Sequence, residues 1–398
     1  MTPIWISRFT ATSCLGHGSS ATLASLESQR TGLAPCRFET VELATYVGEV
    51  PDVDAEPLPE GLAEFNCRNN RLAQLGLRQD GFAAAVEDLA GRLGRHRVGI
   101  FLGTSTSGIL ETEVAYRRRD PATGVLPPGA FHYRGAHNTF SVADFARNAL
   151  RLEGPAVVVS SACSSSAKVF GSARRMMEAG LIDAAVVGGV DSLCLTTLYG
   201  FHSLQLVSSS PCRPFDAARD GISIGEAAAF ALLERAPSSL DPDAVLLLGI
   251  GESSDAYHMS SPHPEGLGAR AAMLQALSTA GLQPQDIDYI NLHGTGTPSN
   301  DSAEAHAVRA VLGPAVPSSS TKGATGHALG AAGGLEAVIC ALALQNGLMP
   351  AGLNTTVVDP TLDINYLLEN RRQRVSRVMS NSFGFGGSNC SLILGRAR

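Results

Sequence analysis

The sequence has no arrangement of cysteines that would hold a disulfide framework or a structural zinc ion. Its eight cysteines are scattered at positions 14, 36, 67, 163, 194, 212, 340 and 390, with no CxxC pair and no Cys/His cluster of zinc-like spacing. Because disulfides persist mainly in oxidising compartments, this pattern favours reduced thiols and a cytoplasmic protein.

The chain also has no excess of positive charge and no obvious export signal. Its 30 Lys and Arg against 37 Asp and Glu give a net charge of −7, which argues against a general nucleic-acid binder. The opening residues MTPIWISRF show no basic leader ahead of a long apolar stretch, so we expect no signal peptide. The longest apolar stretch, 328–344, contains Glu336 and many Gly and Ala, which predicts a buried helix and no membrane span.

Several common catalytic motifs are missing as well. The sequence contains no GxSxG, no GxxxxGK[ST] and no HExxH, and GIGESS near Gly251 is only a partial dinucleotide fingerprint. Only 6% of the residues are aromatic, with one Trp, whereas 42 are Gly. This composition is typical of an α/β enzyme. At 398 residues the chain is too long for one ordinary core, so we expect two domains or a duplicated one.

The sequence supports duplication, because similar segments occur in the same order in both halves. The matched pairs are IWISRFTAT with AVLLLGIGESS, VGIFLGTSTSG with IDYINLHGTGTPS, SSACSSSAKVFGSA with SSTKGATGHALGAA, and GISIGEAAAFALLER with SFGFGGSNCSLILGR. Each reads as a strand or a small-residue turn of an α/β unit. We predict halves at 1–238 and 239–398, joined near ERAPSSLDPDA, with a capping or interface insertion near 109–150 in the first half.

Cys163 is the first candidate for chemistry. It follows the β-branched run VVV at 157–159 and precedes a segment with apolar residues at helical spacing, which places it at a strand-to-helix turn. The first N–H groups of a helix favour a nearby negative charge such as a thiolate. We therefore expect a larger thiolate fraction than in a free cysteine. The alternative for Cys163 alone is a small core residue.

The second half supplies His293 and His327, each beside a Gly-rich turn at a strand end or helix start. Because α/β folds place active sites at such positions, a duplicated fold would bring Cys163 and both histidines to one cleft. Glu336 lies in an otherwise apolar helix and needs a partner, for which Lys322 is the nearest candidate. The tail SNSFGFGGSN is either an ordinary hairpin or a source of oxyanion-binding N–H groups, with Phe383 and Phe385 lining an apolar tunnel.

Together, five ordered motifs resemble the β-ketoacyl-[acyl-carrier-protein] synthases of the thiolase superfamily. They are SSACSSS, CRPFDAARDG, LHGTGTPSND, KGATGHALGAAGGLEA and NSFGFGGSN, and the resemblance spans nearly the whole chain. It implies two βαβαβαββ halves in a five-layered α-β-α-β-α fold. It also maps a Cys-His-His triad onto Cys163, His293 and His327, which differs from thiolases and from the initiating synthases. The segments RNNRLAQL, GTSTSG and GESSDAYHMSSPHPEG further resemble ketosynthases of bacterial aryl-polyene clusters. Gly323, Ala324 and Ala227 depart from the usual family residues, which affects the expected pocket shape.

The resemblance implies a decarboxylative condensation. Cys163 would carry the acyl group, and the two histidines would hydrogen-bond the malonyl thioester. The N–H groups of Cys163 and Phe385 would form the oxyanion hole, Lys322 and Glu336 would support the histidines, and Phe385 would gate entry. Thr106, Ser107, Gly108 and Ile109 would line the far end of the acyl tunnel. No metal or resident cofactor is expected, since phosphopantetheine arrives on the carrier protein.

The implied partners are an acyl-carrier protein and a second subunit. Carrier proteins are acidic, so an enzyme of net charge −7 needs local positive charge, for which Arg68, Arg71 and Arg213 are candidates. The run Arg117 to Arg119 is either a further candidate or a solvated face. By family analogy the chain forms a homodimer, or a heterodimer with a chain-length-factor-like subunit.

Two other functions stay open from the sequence. One is a hydrolase or simple acyltransferase that uses an acyl-Cys163 intermediate, although no carboxylate or amide is evident to orient a histidine. The other is a non-catalytic subunit that pairs with an active ketosynthase, which the intact triad disfavours.

Overall fold

The computed structural model describes residues 1–397. In the N-terminal half, five strands form one sheet: β1 (Ile4–Ser13), β2 (Val98–Gly103), β3 (Ala156–Val159), β4 (Ala184–Asp191) and β5 (Ala227–Arg235). Their order across the sheet is β3-β2-β4-β5-β1. β2 runs parallel to β3 and β4, whereas β5 is antiparallel to β4 and β1.

The C-terminal half repeats this pattern. Its strands are β6 (Val245–Ser254), β7 (Tyr289–Asn291), β8 (Pro317–Ser319), β9 (Arg377–Gly384) and β10 (Ser388–Arg396). Their order is β8-β7-β9-β10-β6, the same as in the first half, with Asn365–Tyr366 added beyond β8. β1 pairs antiparallel with β6, with Ile4 opposite Leu247, so the two sheets join edge to edge. The predicted duplication is confirmed.

Eleven α-helices lie in the described chain: α1 (Gly18–Glu27), α2 (Arg68–Leu77), α3 (Phe82–Leu93), α4 (Ile109–Arg117), α5 (Ser141–Ala149), α6 (Ser165–Glu178), α7 (Leu195–Ser203), α8 (Leu267–Ala280), α9 (Pro298–Leu312), α10 (Lys322–Thr325) and α11 (Ala332–Asn346). Short strands lie at Gly16–His17, Ala34–Pro35, Tyr46–Gly48, Ile224–Gly225, Leu348–Met349 and Arg371–Arg372.

The helices and sheets form the five expected layers. α6 and α11 lie between the two sheets, in an apolar cluster that includes Phe170 and Leu344 and strand residues of both halves. A second cluster packs α2, α3 and α5 on the outer face of the first sheet. A third packs α8 and α9 on the outer face of the second. Each sheet is mixed, and helices cover both of its faces, so apolar side chains are buried on both sides.

The long apolar stretch of the second half is a core helix. Leu329–Asn346 is long and apolar enough to cross a membrane, but 89% of it is buried inside the protein. The prediction of a buried helix is confirmed. Because α11 packs against strands of both halves, its apolar side chains already have protein neighbours on every side.

The insertion is shorter than the sequence predicted. We expected 109–150 to be a capping or interface loop, but α5 occupies 141–149 and its residues Val142 and Phe145 are buried in the core. α5 is thus the crossover helix between β2 and β3, equivalent to α9 between β7 and β8. The extra piece begins with α4 and ends before α5, and it exposes Tyr116 and Tyr133. The boundary at 238/239 lies in the connection between β5 and β6 and stays a prediction.

Candidate active site

Cys163 lies in the short turn between β3 and α6. The preceding residue, Ala162, has φ +51°, a left-handed conformation that residues other than glycine rarely adopt. The turn is held by Ser165, whose Oγ donates to the Ala162 carbonyl at 2.5 Å and accepts the Ser161 N–H at 2.9 Å. This tight turn presents the sulfur of Cys163 to a cavity.

His327 contacts the sulfur directly. Its Nε2 lies 3.1 Å from Cys163 Sγ, and its Nδ1 accepts the N–H of Leu329 at 3.2 Å. Its backbone is fixed by the Ser223 carbonyl, which accepts the His327 N–H at 2.7 Å. Because Nδ1 is an acceptor, the proton of the neutral ring is on Nε2 and faces Cys163.

His293 faces the same point from the second half. Its ring centroid is 5.3 Å from that of His327. Its Nδ1 lies 3.4 Å from Lys322 Nζ, which also donates to the His293 carbonyl at 2.6 Å. Lys322 is a donor only, so the proton of His293 is also on Nε2. The structure therefore directs two N–H donors toward one cavity.

The burial of these groups sets their charge. Burial, with a further effect of Lys322, lowers the pKa of both His293 and His327 well below the usual value, so both are neutral at pH 7. Burial raises the pKa of the Cys163 thiol to about 12, although Lys322 and the N–H of Phe385 oppose that rise. Our expectation of an increased thiolate fraction is therefore wrong for the substrate-free protein. The thiol is the resting form, because burial outweighs the favourable neighbours.

Lys322 and Glu336 form a buried ion pair behind the histidines, with side chains 1% and 3% exposed. Burial raises the pKa of Glu336 to about 7, and Lys322 opposes that rise. Because Lys322 contacts His293 and Glu336 at once, the pair fixes the ring from the side opposite the cavity.

Two carboxylates that sequence reasoning missed hold the loop that carries His293. Glu304 accepts the N–H groups of His293 and Gly294 at 2.8 and 2.7 Å, and burial raises its pKa to about 7. Asp301 accepts the N–H of Thr295 at 3.0 Å. The available signal was their position in the first two turns of α9, directly after the Gly/Thr-rich turn, where carboxylates commonly bind free backbone N–H groups.

The β9–β10 hairpin closes the other side of the cavity. Phe383 and Phe385 line the cavity together with Phe201, Thr295 and Thr297. The rings of Phe385 and Phe201 lie 5.5 Å apart at the cavity wall. The N–H of Phe385 hydrogen-bonds the Cys163 sulfur, so this hairpin brings a backbone donor to the nucleophile.

Other predicted residues lie away from the cavity. Arg68 is 2% exposed and binds Glu226 at 2.6 Å and Asp54 at 2.5 Å, so it is not a docking residue; its charge is neutralised inside the protein. Arg71 and Arg213 keep side chains that are 27% and 30% exposed. Thr106, Ser107, Gly108 and Ile109 do not line the cavity at Cys163. Ile109 instead packs in an apolar cluster with Phe201, which does line it.

The three central side chains also offer ligand atoms that lie within 4.8 Å of one another, a spacing that suits a metal ion. Two features favour another use. Both Nε2 atoms carry protons, and the Lys322 cation lies beside His293, which opposes a second positive charge. The arrangement suits hydrogen bonding to a developing anion.

Comparisons with known proteins agree with this geometry. Residues 77–238 match the beta-ketoacyl synthase N-terminal domain, and residues 244–356 match its C-terminal domain. The chain is 33% identical over 387 residues to 3-oxoacyl-[acyl-carrier-protein] synthase 2 of Synechocystis, covering 91% of this chain and 90% of that protein. It is 40% identical over 259 residues to the mitochondrial synthase of Arabidopsis thaliana, covering 61% of this chain and only 56% of that protein.

Solved structures give the same result over the full chain. A chain of the complex of ketosynthase ApeO with its chain length factor ApeC from Xenorhabdus doucetiae is 40% identical, with a TM-score of 0.89 and coverage of 100% and 98%. The ishigamide ketosynthase/chain length factor is 28% identical, with a TM-score of 0.90 and full coverage of both chains. The duplicated thiolase-like fold, the two domain matches and the Cys-His-His cluster together show that this chain belongs to the β-ketoacyl synthase family.

Proposed function

We propose that this chain condenses an acyl group held on Cys163 with a malonyl group on an acyl-carrier protein, releasing CO2 and a 3-oxoacyl-carrier product. One observation carries the proposal: two neutral imidazoles direct Nε2–H groups to the cavity at Cys163. An enzyme that generates an enolate needs such donors where negative charge develops.

The first step is transfer of the acyl group. The Cys163 sulfur attacks the thioester carbonyl of the acyl carrier, the pantetheine sulfur leaves, and the proton of the thiol passes to that leaving sulfur. Because the pKa of Cys163 is raised to about 12, proton loss has to accompany the attack. The N–H groups of Cys163 and Phe385 bind the oxygen of the tetrahedral intermediate.

The second step is decarboxylation. The malonyl carrier enters past Phe385, and the Nε2–H groups of His293 and His327 donate to its thioester oxygen. The C–C bond to the carboxylate breaks, CO2 leaves, and the electron pair forms an enolate that both donors stabilise. One such donor is typically worth about 3 to 4 kcal/mol. The enolate carbon then attacks the acyl-Cys163 carbonyl, and collapse of that intermediate expels the Cys163 thiolate, which takes a proton from water.

The geometry disfavours hydrolysis. A hydrolytic triad needs a histidine that accepts a proton at the nitrogen facing the nucleophile. Here Nδ1 of His293 and Nδ1 of His327 accept from Lys322 and from the N–H of Leu329, so each facing Nε2 is already protonated. Neither ring is set to act as the base for water. A non-catalytic role would leave this arrangement, and Cys163 itself, without a purpose.

We propose an acidic acyl-carrier protein and a second subunit as partners. Two similar structures are ketosynthases with a chain length factor, which supports a heterodimer; a homodimer is the alternative. Arg71 and Arg213 remain as docking candidates. The product would belong to a polyene, polyketide or fatty acid, and the compartment would be the cytoplasm. The reaction needs no resident cofactor, since phosphopantetheine enters as part of the substrate.

The test is intact-protein mass spectrometry with a panel of acyl-carrier proteins. We expect an acyl adduct on the native protein and none at this site in Cys163→Ala. Addition of malonyl carrier should then yield a carrier-bound product longer by two carbons. Release of free acid would support the hydrolase instead. Absence of an adduct from every donor, with or without a chain-length-factor-like subunit, would contradict the proposal.

A further inference from the structure

Asp191 is a buried carboxylate at the end of β4 that has no ion-pair partner within the described chain. It is instead satisfied by the loop that follows β2. Its donors are Thr104 Oγ1 at 2.7 Å, Ser105 N at 2.8 Å, Ser105 Oγ at 2.7 Å, Thr106 N at 2.8 Å and Thr106 Oγ1 at 2.8 Å. A buried carboxylate without such donors would be costly. Asp191 and this loop are therefore held as one rigid unit.

Ser105 extends this unit to the segment after His327. Its hydroxyl has a single proton, which it donates to Asp191 Oδ2. Its oxygen is then left as an acceptor, and it binds the N–H of Gly330 at 3.2 Å. The approach is so close that a Cβ on Gly330 would lie 2.6 Å from Asp191 Oδ2. Position 330 therefore requires glycine, because the Cβ of any other residue would collide with the Asp191 carboxylate.

The segment fixed in this way is strained. Leu329 has φ +49°, the left-handed conformation that a leucine rarely adopts, and it is 4% exposed. Such conformations persist only when the surrounding contacts determine them, and they are concentrated at functional sites. The N–H of this same residue donates to Nδ1 of His327 at 3.2 Å. The strained residue is therefore the one that determines which nitrogen of His327 carries the proton.

We propose that Asp191 and Ser105 are positioning residues, which hold the strained turn at Leu329 and so keep His327 in the tautomer with its proton on Nε2. The structural part of this inference stands on the hydrogen bonds alone. Its consequence for condensation rests on the proposed function.

The network makes a specific kinetic prediction. If the turn relaxes, the N–H of Leu329 leaves Nδ1, and the neutral ring can carry its proton there instead. Nε2 would then lose its donor role toward the malonyl thioester and gain the ability to accept the proton of Cys163. Decarboxylation should slow, whereas reaction of the thiol with an electrophile should not. A merely structural defect would slow both.

The test uses the full-length protein labelled with ¹⁵N-histidine, with His327 assigned by the signals that are lost in His327→Asn. Ser105→Ala removes only the hydroxyl and leaves the backbone donors to Asp191 in place, so the loop retains its anchor. Asp191→Asn is the second variant, and Ser105→Thr restores the hydroxyl. Asp216→Asn is the matched control, because Asp216 is also buried and bound by backbone N–H groups, those of Ala218, Thr356 and Val357.

We expect ¹⁵N shifts of the Nε2–H tautomer in the wild type, in Ser105→Thr and in Asp216→Asn, and a tautomer mixture in Ser105→Ala and Asp191→Asn. Condensation kcat/KM should fall about fivefold to tenfold in these two variants, the scale of one lost hydrogen bond. The rate of Cys163 alkylation by iodoacetamide should not fall. Retention of the pure Nε2–H tautomer in Ser105→Ala would overturn the inference. Because the tautomer is measured without substrate, it stays interpretable even if no condensation is found.

Discussion

Lys322 is a buried residue that holds several groups of the active site in position. It binds the His293 carbonyl, His293 Nδ1 and Glu336 while only 1% exposed. Lys322→Met would leave Glu336 as a buried carboxylate without a cation. We expect the free energy of unfolding to fall by about 3 kcal/mol, as is typical when one member of a buried pair is removed. Urea unfolding monitored by circular dichroism would measure the change.

A second substitution separates stability from chemistry. In Lys322→Met/Glu336→Gln no charge is left unpaired, so most of the lost stability should return. Condensation should not return, because His293 Nδ1 still lacks its donor and the proton is no longer held on Nε2. A double variant that condensed at the wild-type rate would show that Lys322 serves only to neutralise Glu336.

The thiol of Cys163 gives a pH prediction. Its pKa is raised to about 12 by burial, so the reactive thiolate fraction should rise with pH across the whole stable range. We expect the rate of iodoacetamide alkylation of Cys163 to increase roughly tenfold per pH unit from about pH 7 to 9.5, whereas a free cysteine begins to level off near its pKa of about 8.5.

The measurement is mass-spectrometric alkylation of Cys163 over that pH range, with Lys322→Met as the comparison. Lys322 lowers the pKa of the thiol, so its removal should slow alkylation at every pH. A plateau below pH 8 in the wild type would show that the resting form is a thiolate.

At the scale of single residues, the sequence predicted the three reacting side chains but missed most of the residues that hold them in place. Cys163, His293 and His327 are recognisable because each lies in a small-residue motif. Asp191 and Glu304 act on backbone N–H groups, and a carboxylate that binds backbone has no sequence signature beyond its position. Arg68 was misassigned as a docking residue because a basic residue in the segment RNNR is expected at the surface. Its partner Glu226 lies 158 residues away in the sequence, so no local pattern indicates the pairing.

Among the elements, the β9–β10 hairpin lies directly against the turn that carries Cys163. A Cβ on Gly384 would lie 2.9 Å from the Ser161 carbonyl oxygen and 3.1 Å from the Cys163 nitrogen. Gly384→Ala should therefore push the hairpin from the nucleophile and separate the N–H groups of Cys163 and Phe385. We expect acyl-enzyme formation to slow by about tenfold to a hundredfold, up to the scale of one lost oxyanion donor.

Gly386→Ala is the matched control for that substitution. Gly386 has φ +78°, so alanine is strained there too, but a Cβ would meet no atom within 4 Å. Rates of acyl transfer from an acyl-carrier protein to both variants, followed by intact mass, would compare them. An equal loss in the two would indicate that hairpin strain, and not the approach to Cys163, explains the effect.

Strands and helices could be predicted from the sequence where a segment of one half has a counterpart in the other half. Strands such as β1 and β6 share an apolar pattern and a place in the repeat, so each supported the other. α5 was missed because its apolar residues Val142 and Phe145 follow directly on a Pro- and Gly-rich stretch without a counterpart in the second half. The boundary between an insertion and a crossover helix depends on which residues reach the core, and local sequence does not determine that.

At the scale of the whole molecule, the joined sheet has an open edge at β3 that another chain can pair with. β3 is the last strand on that side, and its four residues are only half-buried. The carbonyls of Pro155 and Val159 accept the N–H groups of Ile100 in β2 and of Thr104 just after it, so by alternation the N–H of Val158 points to the open edge. An unpaired apolar edge is a template for strand pairing with another chain.

Val158→Pro should therefore weaken subunit association while leaving the bonds to β2 intact. Val158→Thr keeps both the N–H and the β-branched shape and should associate normally. Sedimentation velocity over a range of concentrations, with and without a chain-length-factor-like subunit, would measure the effect. Equal association of the two variants would mean that the subunits meet at another surface.

The position of β1 also affects how the chain is made. β1 pairs with β5 on one side and β6 on the other, and these strands begin at Ala227 and Val245. During synthesis the ribosome therefore delivers the strand at the centre of the joined sheet long before either neighbour exists. An apolar strand without partners invites aggregation. The nascent chain should thus depend on a holding chaperone such as a ribosome-bound factor until β5 has emerged.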